Sequence, residues 1–88
     1  MTIYAKTHHL AARTIEGQAY IINTRTSMLH ELDETGTFLW ENMGKSSDEE
    51  SLVKLLLNEY DVSPESAKTD VGEFLRTLES LGIVEHRA

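Results

Sequence analysis

Eighty-eight residues suffice for about one small domain. With 8 Lys and Arg against 15 Asp and Glu, the formal charge is −7, which opposes binding to phosphate backbones and to anionic membrane surfaces. Cysteine is absent, so disulfides, thiolate metal sites and a Cys nucleophile are excluded together.

Apolar residues make up 40% and charged residues 26%, the balance of a folded chain rather than a disordered one. A single domain over residues 1–88 is expected, with its core between about residues 10 and 85. No stretch reaches the ~20 apolar residues of a membrane span. The N-terminal run MTIYAKTHHLAAR lacks the apolar centre of a signal peptide. These features fit a reducing, cytoplasmic setting.

In chain order, residues 10–15 form a short strand candidate. Glu16-Gly17 makes a turn, and the β-branched and aromatic run Gln18–Asn23 follows as a second strand. Thr24–Ser27 is a polar break. Met28–Leu32 is a third strand, completing a meander. Asp33 then caps a helix to about Met43, with Gly36, Leu39, Trp40 and Met43 on one side. Gly36 in its first turn points to close approach to the preceding strand.

Ser47-Asp-Glu-Glu50 reads as a capping box with Ser47 at N-cap. The helix behind it carries Leu52, Leu55, Leu56 and Tyr60 on one face. Ser63 caps a third helix that starts at Pro64. Its apolar stripe is Ala67, Val71, Phe74, Leu75, Leu78 and Leu81. Gly82 ends it, and Ile83 packs back on Leu78 in a Schellman arrangement. Ile83-Val84 adds a last short strand or covers the core. The expected fold class is therefore α+β: a three-stranded antiparallel sheet followed by three helices, in a winged helix-turn-helix-like outline.

Little catalytic chemistry is visible. His8 and His9 are adjacent and diverge; with His30 and His86 they form no metal-binding spacing. Most carboxylates sit at helix starts, where the dipole favours them. No phosphate loop or nucleophile elbow occurs. No catalytic residue, metal or cofactor is expected. The third helix could enter a DNA groove by topology, but Lys68 and Arg76 face Glu65, Asp70, Glu73 and Glu79, which repels phosphate. The acid is concentrated: residues 1–40 net −1 and residues 41–88 net −6. That predicts a preference for peptides with basic flanks, weakened by salt.

The remaining surface is the edge of Met28–Leu32. An unblocked edge strand is a hazard or a tool, and an extended peptide can add to it. Proline at His30 is the expected diagnostic, removing one ladder donor. The alternatives are a winged-helix DNA-binding regulator, and a structural homodimer formed through the edge strand or a swapped hairpin.

Two runs, EGQAYIINTRTSMLHELDETGTFLW over residues 16–40 and SLVKLLLNEYDVSPESAKTDVGEFLRTLESLGIVE over residues 51–85, resemble the PqqD family of peptide chaperones. The most specific piece is Leu32-Asp-Glu-Thr-Gly36 with Leu39-Trp40. Glu59-Tyr-Asp-Val-Ser-Pro64, Asp70-Val71, Phe74-Leu75 and Leu81-Gly82 follow in order. The resemblance implies capture of a precursor's leader peptide as an added strand, and its delivery to a modifying enzyme, often a radical S-adenosylmethionine enzyme, in PQQ or related biosynthesis. It implies a strand edge of Met28, Leu29, His30, Glu31 and Leu32. The facing helix wall would be Val71, Phe74, Leu75 and Leu78, with Lys68 and Asp70 at its rim. Gln18-Ala-Tyr-Ile-Ile-Asn-Thr stands where quinone-pathway members carry a Trp-Val-Leu-Leu-x-Pro-Glu-like stretch, which implies a broader PqqD-like relative.

Overall fold

The computed structural model describes residues 2–87. Its elements are β1 (Ile3–Lys6), β2 (Leu10–Ile15), β3 (Gln18–Asn23), β4 (Met28–Glu31), α1 (Glu34–Asn42), β5 (Ser46–Asp48), α2 (Glu49–Glu59), α3 (Pro64–Ser80) and β6 (Val84–Arg87). The expected α+β architecture is present: the meander β2-β3-β4 is one antiparallel sheet, and three helices follow it. A second sheet, order β5-β1-β6, was not read from the sequence.

The hairpin between β2 and β3 closes on Glu16 and Gly17, both at positive φ (51° and 79°). That is the turn whose twist matches paired strands, and it sets the register Ile15↔Gln18 through Leu10↔Asn23. Along β3 the alternation is strict: Ala19, Ile21 and Asn23 are buried, while Ile22 is exposed. Ala19 and Ile21 therefore face the helices.

Two of the caps form as the sequence implies. Asp33 Oδ1 accepts from the Gly36 N–H at 2.7 Å, and Ser63 Oγ accepts from the Ser66 N–H at 3.1 Å. A Cβ at Gly36 would stand 3.1 Å from Asp33 Oδ1 and 3.3 Å from Leu32 Cβ, so the missing side chain lets the helix start lie against the end of β4. The third helix ends as predicted: Gly82 has φ +75°, and the Ile83 N–H donates to the Leu78 carbonyl at 2.9 Å.

The second cap differs. Asp48, not Ser47, is the N-cap of α2, and its carboxylate makes no capping bond to a backbone N–H; it accepts from the Ser51 hydroxyl instead. The reason is non-local. Ser46, Ser47 and Asp48 are taken up as β5 by pairing with Ala5, Tyr4 and Ile3 of β1. The other side of β1 pairs with β6, Ile3↔Arg87 through Lys6↔Val84, so the end of the chain continues as a strand past Ile83-Val84. Lys6 joins this sheet to α1: its ammonium lies 3.8 Å over the Trp40 ring and donates to the Trp40 carbonyl at 3.0 Å.

One core links the parts. Ile21 from β3, Leu39 and Trp40 from α1, Leu52 and Leu56 from α2, Val71, Leu75 and Leu78 from α3, and Ile83 and Val84 at the end are all buried together. Each fully buried aliphatic side chain contributes about 1.5–3 kcal/mol.

Candidate functional site: an open strand edge beside the last helix

Among the described residues, β4 pairs only with β3. Which backbone groups remain free follows from two bonds. The Leu32 N–H donates to the Ala19 carbonyl at 2.9 Å, just beyond the end of β4, and the Thr24 N–H donates to the His9 carbonyl at 2.8 Å, beyond the end of β2. Antiparallel ladders alternate between bonded and non-bonded pairs. Ala19, Ile21 and Asn23 thus turn their polar groups toward β4, and Gln18, Tyr20 and Ile22 toward β2. On β4, His30 and Met28 bond inward to Ile21 and Asn23 in the register of the pair. The N–H and C=O of Leu29 and Glu31 point away from the sheet. Proline at His30 is therefore the wrong diagnostic: it would remove a bond inside the sheet, whereas Leu29 and Glu31 own the open edge.

Where β4 ends, α1 completes the ladder. The Ala19 N–H donates to Thr37 Oγ1 at 2.9 Å, and the Thr37 hydroxyl donates in turn to the Leu32 carbonyl at 3.4 Å. Thr37 is buried. It stands where a strand carbonyl would otherwise be, so the chain leaves the sheet at Leu32 and turns into α1.

A cavity of about 360 Å³ lies between this corner and α3. One wall is Glu31, Leu32, Asp33, Thr35, Gly36 and Leu39; the other is Asp70, Glu73, Phe74, Thr77 and Leu78. The second wall is a single helical stripe at i, i+3, i+4, i+7 and i+8. Phe74 is half-buried there.

The expected site residues divide accordingly. Glu31, Leu32, Asp70, Phe74 and Leu78 are brought together around the cavity. Met28 and Leu29 are 56% and 54% exposed on β4, and His30 is half-buried between them. Val71 and Leu75 are fully buried and belong to the core, not the cavity wall. Lys68 lies beside a different surface depression, with Asp48, Glu49, Val53 and Pro64. The sequence reading missed Asp33, Thr35, Gly36, Leu39, Glu73 and Thr77 as wall residues. Glu73 and Thr77 could have been found by taking the neighbours of Phe74 at −1 and +3 as one face.

Chemically the site offers hydrogen bonding, apolar contact and negative charge. Among the described residues no group of three or more His, Asp or Glu is placed to hold a metal ion, and no helix is long and apolar enough to cross a membrane.

Fold and site together define a small α+β domain of winged-helix outline whose meander keeps one strand edge open beside a helix. The family model of coenzyme PQQ synthesis protein D (PqqD) matches residues 18–84, and the chain belongs to that family. Two solved structures share its fold. One, described as TbiB1 in complex with the TbiA(beta) leader peptide, has a TM-score of 0.84 at 22% identity, covering 92% of this chain and 94% of that one. The other, described as lasso peptide synthetase B1 complexed with the leader peptide, has a TM-score of 0.81 at 14% identity, covering 93% and 96%. No curated protein matches the chain.

Proposed function

We propose that this protein is a non-catalytic chaperone that captures the leader segment of a ribosomally made precursor peptide and presents it to a modifying enzyme, in PQQ or related modified-peptide biosynthesis. The observation that carries this reading is the pair of outward-facing backbone units at Leu29 and Glu31, next to the cavity bounded by Leu32, Phe74 and Leu78. A strand added there gains main-chain bonds, which tolerate varied sequence, and places alternate side chains against α3. Membership of the PqqD family supports the reading, as do two structures of the same fold described in complex with leader peptides. A radical S-adenosylmethionine enzyme is the partner that family resemblance implies.

Amide exchange tests it. A synthetic leader, taken from a short reading frame adjacent to the gene, should slow exchange at Leu29 and Glu31. The His30 amide, already bonded inside the sheet, should change little. Protection confined to α2 or to β6 would overturn the assignment. A self-associating domain would instead show concentration-dependent protection at the same amides without peptide. A DNA-binding regulator would bind mixed duplex with a steep salt slope, which the acidic α3 opposes.

A further inference from the structure

The cavity walls carry more charge than an apolar anchor needs. Four of its lining residues are acidic, Glu31, Asp33, Asp70 and Glu73, and none is Lys or Arg. Asp33 is engaged in capping α1, and Glu31 accepts from the Gln18 amide at 3.4 Å. Asp70 and Glu73 are exposed and make no ion pair among the described residues, whose two ion pairs, His86–Glu79 and Arg87–Glu85, lie near the C-terminus. Like charges gathered around one furrow focus a negative potential into it.

Spacing adds a second constraint. Phe74 follows Asp70 by four residues, just over one helical turn and about 6 Å along the axis. Side chains on one face of a strand recur every second residue, about 6.8 Å apart. An added strand can therefore seat an apolar residue by Phe74 and a cation by Asp70 with one outward-pointing residue between them.

We infer that the captured segment belongs to a defined class: an extended peptide with an apolar residue packed on Leu32, Phe74 and Leu78, and a Lys or Arg two positions away facing Asp70 and Glu73. This rests on the strand-addition reading above and names what that edge selects. The pair at i, i+2 discriminates by charge, because an Asp or Glu at the same place meets the carboxylates of Asp70 and Glu73.

Selection from a display library tests it. The full chain is immobilised and offered peptides of about twelve residues with a central Leu and every other position randomised. Lys or Arg should be enriched two positions from the Leu, on one side, and Asp and Glu depleted. The double variant Asp70→Asn with Glu73→Gln alters only exposed side chains and should remain folded. It should lose the enrichment and bind the selected peptide about threefold to tenfold more weakly. Raising salt to about 0.5 M should shrink that difference. Selected peptides without basic residues at that spacing, or an unchanged preference in the double variant, overturn the inference and leave strand addition standing. Enrichment of no peptide at all overturns both.

Discussion

The backbone N–H of Ala19 is held by the side chain of Thr37, 2.9 Å away on α1, rather than by the neighbouring strand. A helix hydroxyl thus closes the last rung of a sheet. Thr37→Val keeps the shape but orphans a buried donor, which costs about 1–3 kcal/mol. Thr37→Ser keeps the oxygen and should cost less. Urea denaturation of the two variants should show this order, and equal losses would mean that the methyl matters as much as the hydroxyl.

The alternation along β4 separates stability from capture. Glu31→Pro removes an N–H that no strand of this fold uses, so it should weaken leader binding about tenfold or more while lowering stability little. His30→Pro removes a bond to Ile21 and should lower stability by about 1–3 kcal/mol. Paired melting and peptide titration of both variants checks the assignment. The reverse pattern would place the free edge one residue out of register.

Two adjacent residues on α3 should part company in the same way. Leu75 is fully buried in the core, so Leu75→Ala is expected to cost about 2–5 kcal/mol. Phe74 is half-buried at the cavity wall. Phe74→Ala should cost less stability than Leu75→Ala, yet be the variant that impairs binding to the remaining folded protein. Binding measured well below each variant's melting temperature distinguishes the two effects.

Lys6 gives a pH signature. Burial pushes its ammonium below the usual Lys pKa, and the charge of Glu41 opposes that shift only in part. The native state then releases this proton before the unfolded chain does. Where the unfolded state binds more protons, stability rises with pH. Wild type should therefore gain stability relative to Lys6→Met as pH climbs from the lowered native value toward 10.5, the ordinary value. Chemical denaturation of both proteins between about pH 8 and 11 measures the difference. A constant offset would show that the buried amine does not titrate differently in the two states.

The meander and the three helices were legible because their signals are local. Asp33 and Ser63 cap where they stand, and Gly82 reverses the chain where its φ is positive. The second sheet was not, because β1, β5 and β6 are three or four residues each and are joined across long stretches of chain. Ser47 shows the competition directly: a capping pattern lost to strand pairing with Tyr4. The cavity was half legible. An apolar stripe marks the face of α3 that meets the core, so Val71 and Leu75 were drawn into the wall. The face that lines the cavity mixes Asp70, Glu73 and Thr77 with Phe74 and Leu78, and hydrophobic periodicity does not register a mixed face.

The pairing of β1 with β6 sets Ile3 opposite Arg87, so head and tail of the domain run as neighbours in one ribbon. A short linker can bridge them, and the backbone can be opened instead at the exposed turn Thr24–Ser27. Such a circular permutant would keep every strand partnership and the free side of β4 while moving both ends to the far side of the molecule's connectivity. Any passenger fused ahead of Ile3 or after Arg87 must, by the same adjacency, leave from a common point.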